Sequence, residues 1–127
     1  MALLTLGLNH TTASVELREQ VVFDIQRIGD ALNQLKCTVS SVREATILST
    51  CNRMELFLVI EDEDGDGDES ESDVVRWLAT YHGLDSKILA PHIYTFRDLR
   101  AGEHMMRVAS GLDSLIMGEP QVLGQFK

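Results

Sequence analysis

The sequence contains little that would cross-link or anchor the chain. Its 127 residues include only two cysteines, Cys37 and Cys51, which are too few for a disulfide framework. No apolar run approaches the roughly 18 residues that a membrane span needs. No basic segment precedes the apolar residues at the start, so we do not expect a secretory signal. These absences predict a cytoplasmic protein with reduced thiols and no membrane contact.

Basic residues are too few to balance the acids, and the formal net charge is −9. Nine of the acids lie in one run at residues 61–73, which reads EDEDGDGDESESD. Without this run, 11 of the 20 acids remain against 11 bases, so the rest of the chain is neutral. We expect the run to be a solvated loop. A calcium loop is disfavoured, because the spacing lacks the bidentate acid at the twelfth position.

The hydrophobic pattern predicts an α+β domain. Alternation with a period of two indicates strands, and apolar residues at helical spacing indicate helices, with Ser14 and Asp24 as N-caps of the first two. The predicted order along the chain is a strand at 4–9, helices at 15–22 and 25–36, strands at 45–50 and 54–60, a helix from Ser72 or Asp73 to Gly83, a strand at 93–96 and a helix at 98–110. This order is typical of a ferredoxin-like split β-α-β sandwich, with an antiparallel sheet and helices on one face.

A cysteine stands between the two central strands, in the stretch Ser49-Thr50-Cys51-Asn52-Arg53-Met54-Glu55. A guanidinium two residues away favours the reactive thiolate over the thiol. Cysteine is also among the most often buried residue types, so simple packing is the alternative. The polar neighbours favour a chemical role for Cys51, but the pattern alone leaves both interpretations open.

The last residues predict the start of another element. Pro120 suits the first position of a helix, which has barely two turns before the chain ends. We therefore expect a piece of a longer protein, with a domain at residues 1–115 and the start of a truncated connecting helix at 116–127.

Five segments together resemble one known family. They are GLNHTTA at 7–13, STCNR at 49–53, ASGLDS at 109–114, GEPQ at 118–121 and GQ at 124–125. In this order they are similar to the N-terminal catalytic domain of glutamyl-tRNA reductase, and the resemblance spans the whole chain. It implies that residues 1–115 form a catalytic domain that recognises glutamate.

The resemblance also implies a reaction and its partners. The family reduces glutamyl-tRNA to glutamate-1-semialdehyde through a cysteine thioester, in the synthesis of tetrapyrroles such as porphyrin and haem. The hydride comes from NADPH, which is held by a domain absent from this chain, so the piece is not expected to reduce its substrate alone. The implied partners are glutamyl-tRNA as substrate, glutamate-1-semialdehyde aminomutase, and a second copy in a full-length homodimer.

The resemblance assigns two catalytic residues. Cys51 matches the nucleophile, and His104 matches a histidine that either transfers a proton to the departing ribose oxygen or holds the site. Arg53 matches the residue that grips the glutamate, and Glu55 is placed to orient it. The substrate-binding residues are Thr50, Asn52, Arg53, Ser114, Glu119, Pro120, Gln121 and Gln125. No metal is expected, because His10, Cys51 and His104 have no spacing typical of a metal site.

Two other classes of function remain open. A cysteine thioesterase or hydrolase of aminoacyl esters would use water instead of hydride to resolve the thioester. A non-catalytic α+β interaction module would need no reactive thiol.

Overall fold

A four-stranded antiparallel sheet lies at the centre of the computed structural model, which describes residues 1–61 and 67–110. The strands are β1 (Ala2–Asn9), β2 (Val42–Ser49), β3 (Arg53–Ile60) and β4 (Tyr94–Arg97). Their spatial order is β2-β3-β1-β4, and every neighbouring pair is antiparallel. This order confirms the predicted α+β class and the split β-α-β arrangement.

Within the described residues, five α-helices connect and flank these strands. They are α1 (Val15–Gln20), α2 (Ile28–Thr38), α3 (Gly67–Tyr81), α4 (Ser86–Leu89) and α5 (Leu99–Ala109). Short 3-10 turns lie at Ile25–Arg27, directly before α2, and at Ala90–His92, directly after α4. Both predicted N-caps are confirmed, because Ser14 accepts from the backbone N–H of Leu17 and Asp24 accepts from that of Gln26. No helix among the described residues is long and apolar enough to cross a bilayer.

The main core lies on one face of the sheet. Leu4, Leu6 and Leu8 of β1 alternate onto this face, where helices α1 to α4 cover them. The helices contribute the buried side chains of Leu17, Ala31, Leu35, Val74, Trp77, Leu78 and Leu89. The predicted periodicities of these strands and helices therefore account for which side chains form the main core.

The prediction that all helices lie on one face is wrong for α5. Its Val108 packs with Leu48 and Phe57 in a second, smaller cluster, separate from the main core. The physical reason is found in β3, where residues on both faces are buried, including Phe57 at 4% and Glu55 at 0% exposure. A central strand that is buried on both sides needs a second cover, and α5 supplies it.

The prediction of a loop through residues 61–73 is wrong for its second half, because α3 already begins at Gly67. Ser70 is buried, and its hydroxyl lies 2.9 Å from the hydroxyl of Ser41. Acids near a helix N-terminus are favoured by the helix dipole, which offsets their mutual repulsion. The predicted loop at residues 62–66 lies outside the described residues.

The remaining differences concern one short helix and the last part of the chain. Helix α4 was not predicted, because four residues are too few for a periodic signal. The predicted stop of α5 at Gly111 and the predicted connecting helix at 116–127 lie outside the described residues. The predicted domain boundary at residue 115 stays a prediction for the same reason.

Candidate active site

The β2–β3 connection consists of Thr50, Cys51 and Asn52. The backbone N–H of Thr50 donates to the carbonyl oxygen of Arg53 at 2.8 Å and closes the hairpin. The Thr50 hydroxyl accepts from the backbone N–H groups of Asn52 at 3.2 Å and Arg53 at 3.3 Å. A threonine hydroxyl that accepts from the N–H groups two and three residues later fixes a tight turn. The turn leaves Cys51 exposed at the tip, with its thiol not in a disulfide.

A second contact holds this end of the sheet to the helical layer. The hydroxyl of Ser49, the last residue of β2, accepts from the backbone N–H of Phe23 at 3.0 Å. Both Ser49 and Thr50 are buried, with 7% and 8% exposure. The polar residues before Cys51 therefore build the turn that presents the thiol.

A buried carboxylate lies four residues after the thiol. Glu55 is fully buried, and three side chains donate to it. They are Arg53, whose Nη1 lies 2.9 Å from Oε1, the hydroxyl of Tyr94, and His104, whose Nε2 lies 2.9 Å from Oε1 and 3.1 Å from Oε2. We call Arg53, Glu55, Tyr94 and His104 the Glu55 cluster. It confirms the predicted contact between Glu55 and Arg53.

The register of the sheet makes room for this cluster. Gly7 of β1 pairs with Glu55 on one side and with Tyr94 on the other. A Cβ atom at Gly7 would lie 2.6 Å from the carbonyl oxygen of Met54 and 2.7 Å from Cγ of Glu55. Only glycine fits there, because any larger residue would displace the buried carboxylate or the strand beneath it.

Helix α5 and strand β4 position the imidazole of His104. His104 lies on the buried face of α5 with Ala101 and Val108. The ring of Phe96 packs against it at a centroid distance of 4.7 Å, and the ring of Tyr94 meets it edge-on at 5.8 Å. These contacts fix the ring, so its Nε2 stays within reach of the carboxylate.

The charges within the Glu55 cluster are arranged around one buried anion. Arg53 is only 2% exposed, and its guanidinium forms a buried ion pair with the Glu55 carboxylate. Because carboxylate oxygens only accept, Nε2 of His104 carries the hydrogen that it donates. Its Nδ1 is buried, with no hydrogen-bond partner in the part of the chain that the structure describes.

Comparison with known proteins identifies the family. The family model described as "Glutamyl-tRNAGlu reductase, N-terminal domain" matches residues 6–127. The chain belongs to this family. The resemblance found in the sequence to the glutamyl-tRNA reductase N-terminal domain is thereby confirmed.

Individual relatives agree with the family match. A glutamyl-tRNA reductase from Marinobacter nauticus is 53% identical over 127 residues, and one from Pseudomonas fluorescens is 55% identical over 128 residues. Both alignments cover 100% of this chain but 28% of the relative. The chain therefore spans little more than a quarter of the length of these curated relatives.

A solved structure has the same fold. The glutamyl-tRNA reductase from Methanopyrus kandleri superposes with a TM-score of 0.65 at 24% sequence identity. The superposition covers 97% of this chain and 26% of that chain. At this level of identity the similarity concerns the fold.

The structure brings together part of the predicted site of this glutamyl-tRNA reductase domain. Arg53 and His104 meet at Glu55, and Thr50, Cys51 and Asn52 form the adjoining turn. The remaining predicted residues, Ser114, Glu119, Pro120, Gln121 and Gln125, lie outside the described residues. The catalytic and binding roles of all of these residues stay predictions.

The sequence pattern does not identify two residues of this site, Tyr94 of the Glu55 cluster and Gly7, which lies beside the cluster. The sequence pattern places Tyr94 in a strand and Gly7 in a motif and indicates no further role for either. An acid inside the apolar run of β3 was the available signal, because a buried carboxylate requires donors from neighbouring strands. Within residues 1–61 and 67–110, no group of three or more histidine, cysteine or acidic side chains could hold a metal ion.

Proposed function

We propose that this chain is the part of a glutamyl-tRNA reductase that removes glutamate from its tRNA. The whole protein would then reduce glutamyl-tRNA to glutamate-1-semialdehyde in tetrapyrrole synthesis. Family membership supports this proposal, and one geometric observation carries it. An exposed thiol at Cys51 stands on a tight turn, and the next residues of the strand enter a buried cluster of arginine, glutamate, tyrosine and histidine.

The first chemical step is acyl transfer to sulfur. The Cys51 thiolate attacks the carbonyl carbon of the aminoacyl ester, so a carbon–sulfur bond forms and the carbon–oxygen bond to the ribose breaks. The ribose oxygen leaves with the electron pair of that bond and takes up a proton. Exposure of the thiol supports this step, because the acceptor end of a tRNA must reach the sulfur.

Arg53 selects the substrate in this proposal. The free carboxylate of the bound glutamate is its side chain, and a guanidinium fork is suited to a planar carboxylate. The ion pair at 2.9 Å between Arg53 and Glu55 supports a fixed orientation of that fork. Thr50 and Asn52 would line the pocket, together with Ser114, Glu119, Pro120, Gln121 and Gln125.

For His104, the contacts favour one of the two roles that the resemblance left open. Its Nε2 is bonded to both oxygens of Glu55, and the side chain is 4% exposed. A ring held in this way is suited to fixing the carboxylate that orients Arg53. Transfer of a proton to the ribose oxygen would require Nε2 to leave Glu55, so we propose that His104 holds the site.

The second step needs a hydride. NADPH, when bound, would supply it to the carbonyl carbon of the thioester, and the carbon–sulfur bond would break to give the aldehyde and the Cys51 thiolate. This chain contains no G-x-G-x-x-G sequence, and we assign none of its residues to the cofactor. We propose that the cofactor is bound by another part of the protein. The homodimer, the contact with glutamate-1-semialdehyde aminomutase and the cytoplasmic location belong to the same proposal.

The two cysteines provide a matched test of thioester formation. Both are exposed and free of disulfides, so Cys37→Ser controls for the loss of an accessible thiol. The chain is mixed with tRNA carrying radiolabelled glutamate, quenched in acid, and assayed for label that hydroxylamine releases from the protein. We expect Cys51→Ser to abolish the label and Cys37→Ser to retain it.

The other classes of function predict different results in this test. A non-catalytic module gives no hydroxylamine-sensitive label on the unaltered chain. A hydrolase gives label at Cys51, but the whole protein then releases free glutamate rather than semialdehyde when NADPH is present. Either result would overturn the reductase proposal.

A further inference from the structure

Tyr94 reaches the Glu55 cluster from a strand that is not adjacent to β3. Strand β1 separates β3 from β4, and neighbouring strands lie about 4.8 Å apart. The hydroxyl of Tyr94 nevertheless donates to Oε1 of Glu55, across a separation of 39 residues in the chain. The two side chains meet above Gly7, which pairs with both residues and has no side chain to separate them.

The hydroxyl of Tyr94 and the guanidinium of Arg53 donate to the same oxygen. Oε1 of Glu55 accepts from Nη1 of Arg53 at 2.9 Å and from Tyr94, while His104 spans both oxygens. The carboxylate is fully buried, so the protein supplies the hydrogen bonds that water would otherwise make. Each of the three donors therefore helps to hold the carboxylate in the position where it contacts the Arg53 guanidinium.

The ring of Tyr94 has a separate role from its hydroxyl. It packs against Phe96 at 5.5 Å and against His104 at 5.8 Å between ring centroids. A Tyr94→Phe substitution retains the ring and removes the hydrogen bond to Glu55. The packing and the positioning contributions of Tyr94 can therefore be tested independently.

The geometry points to Tyr94 as a positioning residue that sets substrate specificity by fixing Arg53 through Glu55. This inference rests on the proposed function, because it takes Arg53 as the group that binds the side-chain carboxylate of glutamate. A misdirected guanidinium loses its bidentate ion pair with the side-chain carboxylate of glutamate. The side chain of glutamine is a neutral amide, so a glutaminyl ester has no such ion pair to lose. Loss of the hydroxyl should therefore slow the reaction of a glutamyl ester and have little effect on that of a glutaminyl ester.

The experiment compares Tyr94→Phe with Tyr81→Phe, which alters the only other tyrosine in the chain. The rate of acyl transfer to Cys51 is measured in single turnover for the same tRNA carrying glutamate or glutamine. We expect Tyr94→Phe to lower the glutamyl-to-glutaminyl rate ratio about tenfold, as for loss of a hydrogen bond to a charged group. Tyr81→Phe, in the aromatic cluster of α3, should leave the ratio unchanged.

Each result decides between the proposals. If Tyr94→Phe leaves the glutamyl-to-glutaminyl rate ratio unchanged, the inference is overturned, whether both rates stay the same or both fall equally. An equal fall in both rates would indicate a loss of structure. In either case the proposed function remains intact. If the unaltered chain forms no acyl adduct at Cys51, the proposed function fails, and the inference fails with it.

A second measurement reports on Arg53 without substrate. The NMR signal of its side-chain Nε–H group depends on the orientation of the guanidinium. It should shift in Tyr94→Phe and remain in place in Tyr81→Phe, at equal melting temperatures. An Arg53 signal that does not move in Tyr94→Phe would contradict the inference.

Discussion

The two faces of the sheet bury different kinds of side chain. On one face, Leu4, Leu6 and Leu8 pack with apolar side chains of α1 to α4. On the other face, Arg53, Tyr94 and His104 donate hydrogen bonds to the buried Glu55, which pairs with Gly7 of β1. The first face can absorb many apolar substitutions at modest cost. The second depends on charge and hydrogen-bond geometry, so it should tolerate far fewer changes.

The largest effect should come from breaking the ion pair on the polar face. We expect Glu55→Gln to lower the free energy of unfolding by about 3–5 kcal/mol, because it removes the negative charge from a buried ion pair with Arg53. The measurement is urea unfolding followed by circular dichroism.

Glu61 provides the matched control for Glu55, because it directly follows β3 and pairs with Arg43 at 2.6 Å while both side chains are exposed. Glu61→Gln should cost less than about 1 kcal/mol. If the two substitutions lower the free energy of unfolding equally, burial of the Arg53–Glu55 pair does not increase its contribution to stability.

Two adjacent residues of β1 compare the faces directly. Leu6 and Thr5 are both 0% exposed but point to opposite faces. Leu6→Ala should cost about 2–5 kcal/mol, because it leaves a cavity in the main core. Thr5→Val should add about 1 kcal/mol to the free energy of unfolding, since the Thr5 hydroxyl has no partner in the described part of the chain. A loss of stability in Thr5→Val would contradict this expectation.

A smaller, pH-dependent effect belongs to the helical layer on the apolar face. Burial lowers the pKa of His82 from 6.5 to about 4. Its ring packs edge-on against Phe23 at 4.7 Å and Tyr81 at 5.0 Å. Because the unfolded chain binds this proton at a higher pH, stability is complete above about pH 6.5 and falls as the pH decreases towards 4.

We expect this loss to be about 1–2 kcal/mol, after allowance for partial exposure of the ring to water. Urea unfolding at several pH values should show a shallower pH dependence in His82→Gln than in the unaltered chain. His92→Gln, which alters a half-buried histidine bonded to the carbonyl oxygen of Thr12, should retain the original dependence. An unchanged slope in His82→Gln would exclude His82 as the source.

The apolar face could be predicted from the sequence much better than the polar one. The alternation of Leu4, Leu6 and Leu8 and the caps at Ser14 and Asp24 are local signals, and the structure agrees with them. The Arg53–Glu55 contact could also be predicted, because the two residues share one strand face.

The contacts of Tyr94 and His104 with Glu55 join residues 39 and 49 positions apart. They depend on strand order and on the side of the sheet that α5 covers. The hydrophobic periodicity within a segment indicates neither the strand order nor the side of the sheet that a helix covers.

The short β2–β3 connection ties the chemistry to the pairing of the strands. Three residues join the strands, and the Thr50–Arg53 backbone bond closes the turn. An extra residue here would have to form a bulge or slip the ladder by one position, and a slip turns every later side chain of β3 to the opposite side. Glu55 would then face leucines, and its guanidinium partner would turn with it. Variation in length among related proteins should therefore be found elsewhere, for example between β3 and α3, while this connection keeps a constant number of residues.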